Sequence, residues 1–383
     1  MLPLHTQPRS GEIFSSWLVR LALDNGLPVH TFYYSLLQYP GQIWTRDIDR
    51  HPPEELILTV ARATAQTIER IVELCLTSYE GRIYEYLPIH GDAPWLTPAR
   101  IYHRTRIRPG MQFCPVCLSD DDFPYYRKVW RTSLAAMCEI HHCLLSEYCP
   151  CCNSPIAFHQ HAIGRSKSLT REAGRFCHSC RFDFSLISAT AEDVDVTLRD
   201  GYAGLLGTLI SNHENYLSLT GGTELLLFKG VRALVGAIGG RNGGRLRQVL
   251  SELLQIPLNP DKGKDFEYQN VQYRFNLMLC IIWLLQRWPE RLCEICVEAR
   301  FTRSRFSDYY QELPFWIWSV IDNNLNYSSV THSPEEVDSA VRYLVFSGQL
   351  INWQSLGSFL GLKRDSAKFA LNSWVARTRM PQD

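Results

Sequence analysis

No stretch of this sequence is apolar for long enough to cross a bilayer. The longest, Phe275-Asn-Leu-Met-Leu-Cys-Ile-Ile-Trp-Leu-Leu285, is interrupted by Asn276 and falls well short of the roughly 20 residues a membrane helix needs. Net charge is also missing: 39 basic residues balance 39 acidic ones, so no whole-chain field draws the protein onto nucleic acid or an anionic surface. Met1-Leu-Pro-Leu-His-Thr-Gln-Pro-Arg9 is polar and broken by proline, without the apolar core of an export signal, which points to a reducing cytoplasm. Nucleotide motifs are absent. Gly239-Gly-Arg-Asn-Gly-Gly-Arg245 lacks the Gly-Lys-Ser/Thr ending of a phosphate-binding loop, and no Gly-x-Gly-x-x-Gly follows a strand. Neither His-Glu-x-x-His nor the His-x-Glu that precedes Pro-Cys-x-x-Cys in zinc deaminases occurs. Asp120-Asp-Asp122 is a lone acidic turn with no histidines spaced to join it. Together these absences argue against an enzyme.

Cysteine, by contrast, is plentiful, with thirteen in 383 residues. Seven of them and one histidine form four short pairs: Cys114-Pro-Val-Cys117, Cys138-Glu-Ile-His141, Cys149-Pro-Cys-Cys152 and Cys177-His-Ser-Cys180. Each pair leaves two residues between donors, the spacing that lets a tight knuckle aim both side chains at one ion. Twenty residues separate the first two pairs and twenty-four the last two, within the range of zinc ribbons. The pattern predicts two structural Zn2+ sites, one of three cysteines and a histidine, the other of four cysteines. A closed tetrahedral site has no open position for substrate, so such ions scaffold and do not catalyse.

Disulfides are the competing use of cysteine. The odd count, a chain long enough to bury a core without staples, and the polar N-terminus weigh against them. Cys75, Cys280, Cys293 and Cys296 are expected in the core; Cys293-Glu-Ile-Cys296 has donor spacing but no partner pair. Pro115, Pro150 and Asn153 favour Cys149 and Cys152 as the third knuckle. That leaves Cys151 a bystander and His142, Cys143 and His178 as neighbours outside the ligand set. Only seven residues separate His141 from Cys149, which favours two modules in series; a cross-braced pairing of the first pair with the third is the alternative.

Around this segment the chain reads as helical. Residues 12–25 place Phe14, Trp17, Leu18, Leu21 and Ala22 at helical spacing. Gly26-Leu-Pro28 breaks the run and His30 to Leu37 restarts it. A third, long helix is expected from Pro53 to about Leu76, capped by Asp49 or a polar neighbour. Short helices about a glycine turn resemble a helix-turn-helix; a plain hairpin burying Trp17 and Phe32 accounts for the same residues. Arg100, Arg104, Arg106 and Arg108, with Tyr102 and His103 and no acid, form a connector suited to a phosphate backbone or an acidic protein face. Phe123-Pro-Tyr-Tyr-Arg-Lys-Val-Trp-Arg131 interleaves aromatics with Arg127, Lys128 and Arg131. It suits a stacking surface for nucleic acid or, more simply, Tyr126 and Trp130 anchoring a helix to the knuckles with the basic groups outside. Residues 229–247 hold five basic residues and no acid, and read as a flexible basic loop with Lys229, Arg241 and Arg245 as candidate contacts; helix capping is the plainer use of its glycines.

Near the carboxyl end, Leu356 and Leu360 fall on one helix, Gly361 at a turn, Leu362 at the corner, and a second helix begins near Asp365. This is the helix-turn-helix arrangement, with Gly361 taking the left-handed turn conformation. Lys363, Arg364 and Lys368 would face outward at the start of the recognition helix; docking or packing is the alternative use of such a unit.

Phe113-Cys-Pro-Val-Cys-Leu118, Tyr126-Arg-Lys-Val-Trp-Arg131, Cys138-Glu-Ile-His141, Leu144 and Cys149-Pro-Cys-Cys152 together resemble the signature of the TniQ/TnsD family. Pro8-Arg-Ser-Gly-Glu-Ile-Phe-Ser-Ser-Trp-Leu-Val-Arg20 resembles that family's opening. The likeness covers about the first 185 residues. It implies a target-selection protein of a transposon, an adaptor that marks the insertion site and recruits an AAA+ ATPase regulator. Shorter members of the family dock as homodimers on an RNA-guided Cascade complex, while longer ones bind a chromosomal attachment site directly; this length lies nearer the first group. The expected fold is mostly α: a helix-turn-helix-like domain (1–98), a double zinc-ribbon or knuckle module (99–188), a helical domain (189–330) and a second helix-turn-helix (331–383).

Overall fold

The computed structural model describes residues 1–44, 47–99, 110–161, 170–211, 216–307, 313–325, 332–362 and 364–378. Among the described residues the regular elements are helices, and isolated single bridges stand in place of a sheet. The chain divides into two compact units, one of Met1–Phe301 with Arg305–Trp318, the other of Thr302–Ser304 with Ser319–Asp383. No helix of the described residues is long and apolar enough to cross a membrane.

In the first unit α1 (Phe14–Asp24) is buried on all sides from Phe14 to Leu23. Its polar side chains must therefore find partners inside the protein. Arg20 makes a two-point ion pair with Glu12, at 2.8 and 2.7 Å. Ser15 donates both its N–H and its hydroxyl to Asp49, each at 2.7 Å. Ser16 donates to Glu12 at 2.9 Å and accepts the Tyr126 N–H at 3.0 Å, which ties α1 to the middle of the chain. Asp49 is thus engaged with α1 and does not cap the next helix; Pro53 occupies that cap position without a side-chain bond.

One helical expectation holds and one needs correction. After Gly26 the chain restarts a helix, α2 (Val29–Thr31), which continues as a π-helical turn at Phe32–Leu36. The long third helix is two helices. α3 (Glu54–Thr64) ends where Ala65 turns left-handed at φ +56°. Thr67 then accepts the Arg70 N–H at 3.2 Å and caps α4 (Ile68–Glu73). A threonine hydroxyl competes for backbone donors, so it starts a helix more readily than it continues one.

Between 110 and 187 the one α-helix among the described residues is α5 (Pro115–Asp120). Beyond it come α6 (Val196–Ser211), α7 (Glu224–Gly239), α8 (Gly244–Leu254), α9 (Val271–Gln286) and α10 (Glu290–Glu298). α9 is largely apolar and almost wholly buried, as such a helix must be. Its buried Arg274 reaches Glu147 at 2.5 Å, Gln112 at 3.1 Å and the Ser133 carbonyl at 3.2 Å. The basic, glycine-rich stretch at 229–247 is not a loop. It is the end of α7, a tight turn at Arg241–Gly243 and the start of α8. Its glycines permit close packing: a Cβ on Gly230 would lie 2.1 Å from the Trp316 ring, and one on Gly243 2.1 Å from the Ile238 carbonyl oxygen.

α11 (Arg303–Ser307) and α12 (Phe315–Asn324) carry the chain from one unit to the other. The second unit packs α13 (Pro334–Phe346), α14 (Trp353–Leu360) and α15 (Arg364–Thr378) around Val337, Ala340, Val341, Leu344 and Leu356. Gly361 takes φ +68° at the turn after α14. A Cβ on Gly357 would lie 3.0 Å from that of Ala367, so glycine there allows α14 and α15 to approach.

Candidate metal centres

Four single backbone bridges flank the donor pairs: Phe113 with Ser146, Met137 with Leu144, Tyr148 with Pro155, Phe176 with Asp183. Three pairs fold into the same turn. The first donor's N–H bonds the carbonyl five residues on, in Cys138–Cys143 (2.9 Å), Cys149–Ser154 (2.9 Å) and Cys177–Phe182 (2.8 Å). Its carbonyl in turn accepts the N–H four residues on, from His142 (2.9 Å), Asn153 (2.8 Å) and Arg181 (3.0 Å). Those three residues are left-handed, at φ +55°, +53° and +68°. This conformation costs a non-glycine residue about 1 kcal/mol or more, and here it reverses the chain just past the second donor. The remaining pair uses a helix start. Cys114 is the N-cap of α5, its sulfur accepts the Cys117 N–H at 3.4 Å, and Pro115 fills the first helical position, where no N–H is needed.

The donors gather into two clusters, Cys114, Cys117, Cys138 and His141 in one, Cys149, Cys152, Cys177 and Cys180 in the other. Within each cluster the donor atoms all lie within 4.8 Å of one another. His141 Nδ1 is 3.5, 3.3 and 3.7 Å from the sulfurs of Cys114, Cys117 and Cys138. Cys117 and Cys138 stand 3.6 Å apart, as do Cys149 and Cys180, and Cys152 and Cys177. Donors bound at about 2.0–2.3 Å to one tetrahedral ion are separated by about 3.3–3.8 Å, so both sets are consistent with zinc. The pairs join in series. His141 Nε2 faces Asp120 at 3.3 Å, the kind of outer carboxylate that orients a metal-bound imidazole. The cysteines of the first cluster are buried, whereas Cys152 and Cys180 lie at the surface, as does Cys151.

One residue set aside on sequence grounds sits against the first cluster. Cys143 is buried, with its sulfur 3.5 Å from that of Cys114. Its position five residues after Cys138, where the turn closes, was the available signal.

The candidate basic residues divide sharply. Arg131 is only 3% exposed and pairs with Asp47 at 2.6 Å and Asp49 at 3.3 Å. Burial alone would raise the Asp47 carboxyl, yet the Arg131 guanidinium holds it below its usual range; burial and the neighbouring Asp47 push Asp49 up to about 6. Arg127 makes a two-point pair with Asp121 at 2.8 and 2.9 Å and lies over the Tyr125 and Trp130 rings. Between them Lys128 donates to the Glu73 carbonyl and the Ser78 hydroxyl at 2.5 Å each, and burial brings it down to about 8. These three cations are therefore inside, not on an outer face as the aromatic spacing implied: nearby Asp121 meets Arg127, a carbonyl and a hydroxyl from 73 and 78 meet Lys128, and distant Asp47 and Asp49 meet Arg131. The segment is a 3-10 turn at Lys128–Arg131. Tyr126 and Trp130 still anchor it, edge to face at 6.0 Å, and the Tyr126 hydroxyl donates to Gly174 at 2.9 Å.

Lys229 is paired with Glu85. Arg241 and Arg245 are exposed around the turn between α7 and α8. Arg364 and Lys368 lie over the Trp353 ring at 5.4 and 5.6 Å. Arg100, Arg104, Arg106, Arg108 and Lys363 fall outside the described residues.

The first unit is thus a set of helices around a strand-poor middle that carries two four-donor Cys/His clusters. Residues 3–145 match the TniQ family model. That stretch takes in α1 to α5 and the whole first cluster but stops short of Cys149, so the second cluster and the later helices lie beyond it. No curated protein matches the chain.

Proposed function

We propose that this protein is a non-catalytic target-selection adaptor in DNA transposition, linking an RNA-guided Cascade complex to an AAA+ regulator. The TniQ match over residues 3–145 carries the reading. The clusters support it, since four protein donors at each leave no coordination position for a substrate. Thiolates with one imidazole select zinc over hard cations. On this reading Cys114, Cys117, Cys138 and His141 hold one ion, and Cys149, Cys152, Cys177 and Cys180 the other. Each ion contributes on the order of 10 kcal/mol of folding free energy to a segment with little regular structure of its own. The adaptor acts as a homodimer, and its zero net charge agrees with reading DNA through a partner.

A second reading is supported by the second unit. Gly361 between α14 and α15, with Arg364 and Lys368 at the start of α15, has the order of a helix-turn-helix. A homing protein that reads an attachment site itself would use these cations, with Arg241, Arg245 and the 100–108 tract. Binding of the zinc-loaded protein to duplex DNA, with and without a candidate attachment sequence and across a salt series, separates the two. Weak, sequence-blind binding together with capture of purified Cascade supports the adaptor. Nanomolar, sequence-selective binding with a steep salt slope and no Cascade capture replaces it with the homing protein.

A further inference from the structure

We propose that the cleft where residues 9–12, α4, α6 and the Cys138–His141 turn meet is a docking site for a partner protein, and that it takes a short peptide segment pairing one acidic side chain with an aliphatic one. The cleft holds about 480 Å³ and lies wholly within the first unit. Neither an ion in the clusters nor the transposition reading is needed for it. Its cations are Arg9, Arg70, Arg82, Arg127 and Lys128. Three of them are satisfied by carboxylates: Arg70 by Glu73 at 2.5 Å, Arg82 by Glu224 at 2.6 and 3.2 Å, and Arg127 by Asp121 at 2.8 Å. Arg9 and Lys128 are left over. Among the described residues the Arg9 guanidinium meets the Phe123 and Tyr125 rings, at 5.9 and 5.2 Å, and no carboxylate. Lys128 is 9% exposed, and its ammonium gives two of its three N–H groups to the Glu73 carbonyl and the Ser78 hydroxyl, again with no carboxylate. A buried ammonium without an anion is costly. A carboxylate brought in by a partner would complete it through a charge-assisted hydrogen bond.

The rest of the wall selects the kind of anion. Of its carboxylates, Glu12 is held by Arg20 and Glu73 by Arg70, while Glu139 has one buried oxygen without a hydrogen-bond donor among the described residues. Two open cations therefore stand against one open carboxylate. That balance suits a peptide, which brings a single acidic side chain together with backbone N–H groups, better than the unbroken phosphates of a nucleic acid, whose backbone carries no such donor. Base stacking is also poorly served, because the nearby rings are already taken: Tyr125 by Arg9 and by Arg127 at 4.2 Å, and Tyr79 by Lys128 at 4.6 Å. Opposite the charges the surface is aliphatic. Ile140 is 61% exposed and Ile210 38%, with buried Leu209 beside them. Apolar contact next to polar groups is the anatomy of a protein interface, and an Ile, Leu or Val beside the partner's acid would cover it.

The test uses the full chain and a set of short labelled peptides, each carrying Asp or Glu beside Ile, Leu or Val, read by fluorescence anisotropy. In one control set the acid is replaced by its amide, in another the aliphatic residue by serine. Acid–aliphatic peptides should bind with a Kd below about 1 mM, and both control sets about tenfold or more weaker. Arg9→Gln and Ile210→Ser should each weaken the best peptide by a similar factor. A photoreactive group on that peptide should crosslink the unaltered protein at residues lining the cleft, which locates the site even where a variant does not fold. No peptide bound below about 1 mM, equal affinity of either control set, or crosslinks elsewhere overturns the proposal. So does a DNA or RNA oligonucleotide whose binding Arg9→Gln and Ile210→Ser weaken while no peptide binds.

Discussion

Replacing Cys177 by serine asks whether ions or backbone hold the middle segment together. Cys177 is buried and opens the last of the three like turns. The two turns of its cluster own four backbone hydrogen bonds, Cys149–Ser154, Asn153–Cys149, Cys177–Phe182 and Arg181–Cys177. At about 1 kcal/mol net apiece they contribute about 4 kcal/mol, and left-handed Asn153 and Arg181 return about 2 of it. Ordering residues 148–161 and 170–187 costs about 1 kcal/mol or more for each in backbone entropy. Contacts such as Phe158 on Tyr126 and Phe184 on Phe113 offset only part of that. A zinc site worth on the order of 10 kcal/mol is the largest single contribution available, and three donors do not sustain it.

The expected outcome is a drop from two zinc ions to one by native mass spectrometry. Hydrogen exchange should show fast amides across 148–161 and 170–187 while α9 stays protected. Two ions and wild-type protection in the Cys177→Ser protein would refute the reasoning, and the hydrogen bonds and aromatic contacts would then hold the segment without the ion.

Three further outcomes follow. Arg131→Ala leaves Asp47 and Asp49 facing each other without their cation and should cost about 3–5 kcal/mol in urea unfolding; a loss under 1 kcal/mol would mean the pair is solvated. Gly230→Ala gains about 1 kcal/mol of helix propensity but sets a methyl 2.1 Å from the Trp316 ring, so overpacking of about 1–3 kcal/mol should win and lower the melting temperature; a rise would show that the ring moves freely. His159, stacked on Trp44 and pushed down to about 3 by burial, has a folded pKa below the unfolded value of about 6.5. Its stabilisation is complete above that value and is lost as pH falls from there toward 3, by up to about 1.4 kcal/mol per pH unit. His159→Phe should flatten the fall in urea midpoint between pH 7 and 5.5, and equal slopes in the two proteins would exclude the residue as the cause.

What the sequence discloses and what it hides divide by the reach of the interactions. The donor pairs are legible because two residues between ligands is a local requirement of the knuckle turn. α1 and the Gly361 turn are legible for the same reason, one by periodicity and the other by glycine. Arg131 is not, since the acids that draw it inward lie at 47 and 49, more than eighty residues earlier. Lys229 finds Glu85 across 144 positions, and Gly230 is shaped by Trp316, so a stretch that looks like a loose basic loop is a packed helix corner. Asp49 offers a plausible helix cap locally and is taken instead by Ser15, again from a distance. Cys143 falls between these cases: the turn that aims it is local, but its partner Cys114 is 29 residues away.

The two clusters differ in what depends on them. The first lies where the N-terminal helices and the later ones meet. Ile13 donates to the Tyr126 carbonyl at 3.0 Å and Lys128 to Gly11 at 2.7 Å on one side. On the other, the Tyr202 hydroxyl bonds Leu134 at 2.5 Å and Ala136 at 3.0 Å, and Arg274 grips Gln112, Ser133 and Glu147. An ion held there would be coupled to helices on both sides of it. The second cluster is closed by cysteines of which two reach the surface, and its turns bond mainly within themselves. The boundary of the TniQ match falls between the two, at residue 145. The matched part therefore contains the cluster set among contacts to both the N-terminal and the later helices, while the cluster beyond it bonds mainly within its own turns. That asymmetry is why a donor of the second cluster, and not of the first, is the informative one to remove.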